Sequence, residues 1–225
     1  MHKNSHIYDM RLGFFLVVAF LSFHAILPAQ DSIAYSKDFR LYEGIYLSYQ
    51  DFRYNWPISR EKIQTKISKD QLDFYSKTIE QDYIDYIERD GSLTKVKTDD
   101  IWGYCQNNSI YVHHDRHFFR IPVFGAISYF VGTVEVVNYS AAYDPFMTSP
   151  MSGTTVKTQE MRQYLFDFYS GGMVLFSIEK LELFLKRDQV LYKEYSELSR
   201  KKKRDLATRY IRLYNEKHPV YFPKD

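Results

Sequence analysis

Hydrophobic and polar positions along this chain fall into successive regimes: an apolar block, short alternating runs, an aperiodic interval and a tail of helical period. The block, Leu12–Leu27, is almost unbroken, with Lys3 and Arg11 before it and Pro28-Ala29-Gln30 after it. A charged start, a short greasy run and a small-residue exit form the secretory leader pattern, with cleavage expected after Ala29. The run falls short of the roughly 20 residues with which a helix crosses a bilayer core. Removal is therefore expected, and the large Leu27 three places before the cut leaves retention as an N-terminal anchor as the alternative.

The alternating regime follows a flexible lead-in at 30–40. Leu41–Leu47 reads as a short strand, and Ser48, three before Asp51, starts a helical turn that Trp56-Pro57 closes. Leu72, Tyr75 and Ile79 recur at helix spacing, whereas Tyr83–Glu88 is β-rich and runs into Asp90-Gly91, a strong hairpin signal. A short helical or irregular piece before Gln81 and a strand after it are expected. Leu93–Lys97, Ile101–Cys105, Ile110–Val112, Phe118–Phe124 and Ile127–Val137 continue as a meander. Its turns lie at Gln106-Asn107-Asn108 and at His113–Arg116. A last hairpin, Arg162–Tyr169 with Met173–Phe176, turns at Ser170-Gly171-Gly172.

Between these strands, residues 138–159 show neither period, and a loop longer than about 12–15 residues is uncommon unless functional or disordered. Beyond Ser177 the period becomes helical. Ser177 caps one helix, with Glu179 in its first turn, and Asp188 caps a second running to His218-Pro219. With Leu191 as origin, Tyr195, Leu198, Leu206 and Leu213 fall within about 60° of one another's stripe at 100° per residue. Lys202 and Arg209 fall on that stripe too, so either their stems lie on the core or the helix bends. The expected fold is α+β: residues 41–222 as a single domain, an antiparallel Tyr-rich sheet of roughly six to eight strands packed against two C-terminal helices.

Composition adds three constraints. Lys3, Arg11 and Asp9 leave with the leader, so a formal charge of +2 for the whole chain becomes about +1, without a general field for nucleic acid or anionic membrane. Cys105 is the lone cysteine, which excludes an intrachain disulfide and reads as a small buried hydrophobe. Tyrosine is abundant, with 21 Tyr against 17 Phe and 2 Trp, which suits half-buried sheet positions and wet interfaces.

Candidate chemistry is sparse. His113, Asp115 and His117 would share a face on one strand and, with His114, offer imidazoles and a carboxylate to a metal. Arg116 and the hairpin corner favour a solvated turn instead. Arg200, Lys201, Lys202, Lys203 and Arg204 wrap a helix as a solvated face or as a patch for anionic headgroups or acidic polymers. Trp102 and Tyr104, two apart and so on one face, join Tyr111 and Phe119 either as core or as a flat platform for sugar rings or a partner. The sequence lacks G-x-S-x-G, H-E-x-x-H, a P-loop and G-x-G-x-x-G. Carboxylates are plentiful, so a glycosidase-like pair stays open, with nothing to select its members. No catalytic residue, metal or cofactor is assigned.

Asp99-Asp100-Ile101-Trp102-Gly103-Tyr104-Cys105 and the run from Arg187-Asp188 through the basic helix to Tyr214-Asn215-Glu216-Lys217-His218-Pro219 carry a likeness. The chain resembles a family of uncharacterised exported proteins of Gram-negative bacteria. Members share an Ile-Trp-Gly-aromatic strand, a Tyr/Pro-rich insertion where this chain has 138–159, and a basic C-terminal helix. The resemblance implies a periplasmic or secreted setting, supplies no functional residue, and implies that the sequons at Asn107 and Asn138 are not glycosylated. The resulting expectation is an exported, non-catalytic binding or scaffolding domain facing a protein or glycan partner in the envelope. Tyr143, Phe146, Met147 and Met151 are its expected anchors. The alternatives are an envelope hydrolase with a carboxylate pair, and a peripheral membrane-surface protein held by the basic helix.

Overall fold

A computed structural model describes residues 31–140 and 154–224, and among them twelve strands and five helices alternate with sharp turns. In chain order they begin with β1 (Ser32–Ala34), β2 (Gly44–Tyr46), helix α1 (Tyr49–Arg53), β3 (Ile63–Gln64) and helix α2 (Phe74–Thr78). Next come β4 (Tyr83–Ile87), β5 (Leu93–Lys97), β6 (Gly103–Gln106), β7 (Ser109–His114) and β8 (His117–Arg120). The long strands β9 (Ile127–Ser140) and β10 (Thr154–Asp167) precede β11 (Met173–Leu175). Helices α3 (Ile178–Leu185), α4 (Gln189–Ser196) and α5 (Arg200–Lys217), then β12 (Tyr221–Pro223), close the chain. Residues 33–223 form one compact unit.

The fold is mixed α+β with antiparallel ladders, but the strands divide among separate sheets. Their orders are β2-β6-β7-β8, β3-β4-β5, β9-β10-β11 and β1-β12. Tight turns join neighbours within the sheets. Asn107 and Asn108 (φ 50° and 54°) and Asp115 and Arg116 (φ 50° and 64°) close two-residue hairpin loops, whose left-handed residues match the strands' right-handed twist. Arg89-Asp90-Gly91 closes β4 onto β5, with Gly91 at φ +87°, where a side chain is strained, and the Asp90 carboxylate accepting the Ser92 N–H at 2.9 Å.

The β2-β6-β7-β8 sheet is apolar on both faces. One face gives Tyr46, Cys105, Ile110, Val112 and Phe119 to a large core shared with β9, β10 and the C-terminal helices. The other gives Ile45, Tyr104, Tyr111 and Phe118 to a smaller core with Ile63, Phe74, Tyr75, Ile84 and Ile101. Aromatic contacts dominate the large core: Phe52 stacks on Trp102 at 4.3 Å and meets Tyr46, Phe124, Phe168 and Phe222 edge to face. At the far side, the Asn215 side chain of α5 pairs with a backbone unit of β9. Its Oδ1 accepts the Ile127 N–H at 2.9 Å and its Nδ2 donates to the Ile127 carbonyl at 2.8 Å. Gly125 makes room for that amide, because a Cβ there would run into it.

Two expectations are corrected. Residues 138–140 and 154–159 of the expected loop are strand: β9 continues to Ser140 and β10 starts at Thr154, with Val156 opposite Asn138 and Lys157 opposite Val137. The β-branched residues Val156 and Thr158, alternating with Lys157 and Gln159, extend the ladder. Tyr143, Phe146, Met147 and Met151 lie outside the described residues, as does the leader. The second helix stops at Ser196, and a third begins after Ser199, whose hydroxyl accepts the Lys202 N–H at 3.4 Å. That restart changes the helical phase, so α5 buries Ala207, Ile211 and Tyr214 while Lys202 and Arg209 are exposed. The corner expected at His113–Arg116 is present: the turn at Asp115-Arg116 puts His113 on β7 and His117 on β8, so they share no strand face, and His113 stacks on Phe118 at 4.7 Å.

Phe52 is fully buried at the centre of the aromatic stack. Phe52→Ala is expected to lower unfolding free energy by about 3–5 kcal/mol, the usual range for a buried Phe truncation, as read from denaturant-unfolding midpoints.

Candidate functional site

The clearest concavity lies between the turn after α1 and the β4–β5 hairpin, a cleft of about 500 Å³. Its first wall is built by local chemistry. Ser48 and Asp51 form a reciprocal capping box that sets α1 going. Asn55, at φ 54°, then reverses the chain, held because its side-chain oxygen accepts the Tyr42 N–H and the Tyr46 hydroxyl, both at 2.9 Å. Ile58 pairs with Ile45 through both backbone bonds, at 2.7 and 3.1 Å. Between these anchors Trp56 is forced outward and is 48% exposed, its indole stacked on Tyr54 at 4.8 Å.

The opposite wall is the end of the β4–β5 hairpin. Tyr86 lies in its floor with Ile45 and Ile58, and Arg89 reaches across so that its guanidinium sits 4.9 Å from the Trp56 ring. Asp51, Glu88 and Asp90 line the rim with Lys62 and Arg89. Each carboxylate is engaged locally. Asp51 Oδ2 accepts the Ser48 N–H at 2.9 Å and hydroxyl at 2.7 Å, Glu88 Oε1 accepts the Tyr86 hydroxyl at 3.2 Å, and Asp90 Oδ1 accepts the Ser92 hydroxyl at 2.7 Å. The Ser92 hydroxyl and N–H hold Asp90 below the usual carboxylate range, while burial and then the Glu88 charge push the Tyr86 hydroxyl up. A glycosidase acid needs a carboxyl kept protonated. Asp90 is tuned the opposite way.

A second polar constellation joins the helices to the sheet. Asp167, at the end of β10, is buried yet receives Arg187 through two bonds of 2.8 Å and the Ser170 hydroxyl at 2.8 Å. Asp188, next in the chain, caps α4 by accepting the Val190 and Leu191 N–H groups, and pairs with Lys217 at 2.7 Å and His218 at 3.0 Å. Burial alone would raise the Asp167 carboxyl, but Arg187 and Ser170 outweigh it and leave it lowered. Lys217, the Leu191 N–H and His218 hold Asp188 well below the usual range. Arg187-Asp188 therefore clamps the α3–α4 junction between β10 and the end of α5.

The expected site residues scatter. Trp102 packs into the large core and Tyr104 into the smaller one, stacked on Tyr111 at 4.5 Å with the rings almost parallel. They do not share a face, because β6 starts at Gly103. Before it, the Trp102 N–H is divided between the Tyr46 and Leu47 carbonyls, which breaks the alternation. Phe119 is buried. Of the basic run, Arg200, Lys201, Lys202 and Arg204 are exposed in the first turn and a half of α5, while Lys203 turns back to Glu182 at 2.7 Å. No three His, Cys, Asp or Glu side chains gather as a metal site among the described residues. No described helix is long and apolar enough to cross a membrane.

The cleft itself escaped the sequence reading. Trp56-Pro57 registers there only as a helix stop and Glu88–Asp90 only as a turn. They meet because β3 pairs with β4 and Ile58 with Ile45. Comparison with known proteins returns no match: no family model, no curated protein and no solved structure matches the chain.

Two outcomes follow from the electrostatics. Asp167 and Asp188 have depressed folded-state values, so their stabilisation is present above the unfolded carboxylate value near 4 and is lost as pH falls below it. The melting temperature is expected to be flat from pH 7 to 5 and to drop below about pH 4. Asp188→Asn should lower it at pH 7 and flatten the acid limb, as followed by circular dichroism. Burial pushes the Cys105 thiol up to about 12, so a thiol reagent should label the native protein only as fast as it unfolds, and at once in denaturant.

Proposed function

We propose that the protein is an exported, non-catalytic binding or scaffolding domain of the bacterial envelope, and that it meets its partner through the β9–β10 arm. The observation that carries this reading is how the arm's exposure changes along its length. Each strand has fourteen residues, roughly 45 Å at about 3.3 Å per residue. Near the body the arm is anchored by Ile127, Phe130, Val134, Tyr164, Leu165 and Phe166, all in the large core. Further out the face that is buried near the body opens, with Val156 45% exposed, while the other face, exposed from Val131 outward, carries Val137 at 40%. The cross-strand pair Lys157–Glu135, at 2.9 Å, is solvent-facing.

A two-stranded ribbon wet on both faces gains little from burial and is marginal by itself. Keeping valines on both faces of such a ribbon suits a surface that a partner covers. The leader supports export, and the locally engaged carboxylates of the cleft support a role without catalysis.

The test shortens the arm. Removing residues 136–158 and joining Glu135 to Gln159, which face each other in the ladder, through Asn-Gly keeps the anchored half and its register. The shortened protein is expected to melt within a few degrees of the parent and to lose the envelope protein that the parent cross-links. Unchanged cross-linking would refute the arm as the contact surface.

A further inference from the structure

We infer that the cleft beside Trp56 is a saccharide-binding site, taking a ring of low net charge against the indole. This inference stands independently of the arm. A pocket of about 500 Å³ lies inside the roughly 300–1,000 Å³ range of small-ligand sites. Its chemistry is divided as a sugar's is. A pyranose has an apolar C–H face and a periphery of hydroxyls that donate and accept. The cleft has an exposed, stacked indole above an apolar floor and a rim carrying both acceptors and donors.

The acceptors are set in advance. Asp51 is held through Oδ2, Glu88 through Oε1 and Asp90 through Oδ1, so one oxygen of each carboxylate is left for a ligand hydroxyl. Holding them beforehand cuts the ordering cost of binding. Lys62 and Arg89 supply the donors. Arg89 is exposed and lies over the indole at 4.9 Å, so a ring taking that face displaces its guanidinium toward the rim, where it can donate.

Charge narrows the ligand class. A phosphate or sulfate would meet three carboxylates, and an organic cation would have to displace Arg89 while facing Lys62. A neutral polyol ring also has to move Arg89 off the indole, but it brings no like charge to Lys62, Arg89 or the three carboxylates.

The chain has only two tryptophans, and Trp102 is stacked in the core on Phe52, so a ligand-induced change in tryptophan emission reports on Trp56. The experiment titrates the protein with neutral tetrasaccharides: β-1,4-linked glucose, β-1,4-linked N-acetylglucosamine, α-1,4-linked glucose and α-1,6-linked mannose. Choline and inorganic phosphate are the charged comparators. At least one tetrasaccharide is expected to give a saturable change at millimolar or lower concentration. By calorimetry, Trp56→Ala should weaken that binding at least tenfold, Trp56→Phe less, and Glu88→Gln several-fold. Both residues are at the surface, and unchanged melting curves verify the fold. The inference is overturned if no tetrasaccharide binds at about 10 mM, if binding survives both Trp56→Ala and Glu88→Gln, or if choline or phosphate binds in the tetrasaccharides' place.

Discussion

Because β2, β6, β7 and β8 carry apolar side chains on both faces, the sheet they form has to be covered twice, and the rest of the molecule is arranged to do so. One cover is the long hairpin with the three C-terminal helices behind it. The other is the small β3-β4-β5 sheet with α2. The Trp56 cleft is a by-product of this division. It opens where the small sheet's hairpin faces the turn leaving α1, just beyond the backbone bridge between Ile45 and Ile58. An antiparallel sheet more often keeps one face in water. Losing that face costs the surface a polar layer and concentrates aromatic side chains inside, which accounts for much of the tyrosine and phenylalanine content.

Local signals were legible, and signals that depend on distant partners were not. The capping serines Ser48 and Ser177, the Asp188 cap and the Asp90-Gly91 hairpin act within a few residues of themselves, so their sequence reading survives in the structure. The α+β class survives with them. Phase was the weak point. One residue with a divided hydrogen bond, Trp102, sends itself and Tyr104 to different cores. One serine, Ser199, rotates a helix so that two expected stripe residues face water. The last residues of β9 and the first half of β10 were hidden because Thr, Lys, Gln and Glu crowd there with little apolar content. Such strands are recognisable only beside their partners. The cleft was illegible for a related reason: its walls lie some thirty residues apart and meet through register.

The polar groups that sequence composition scatters evenly have been sorted by the fold into two tasks. Asp167 and Asp188 face inward and meet cations from other elements, so they join a strand end, a helix junction and a helix terminus. Asp51, Glu88 and Asp90 are satisfied by neighbours within three residues and face a cavity. Buried carboxylates bound to distant cations hold structure together, and leaving one partner uncompensated is costly. Surface carboxylates steadied by neighbours are free to meet something else. That contrast, more than any motif, separates the framework of this protein from the part open to a ligand.

The grip of Asn215 on the Ile127 backbone narrows what position 215 can become. An amide that gives one hydrogen bond and takes one has no substitute among the common side chains of its size: aspartate brings two acceptors toward a carbonyl, and leucine brings neither function. Gly125 is bound into the same restriction, since any larger residue occupies the amide's own space. Positions 125 and 215 thus behave as one unit, whereas position 127 contributes only its main-chain N–H and carbonyl, which any residue but proline supplies.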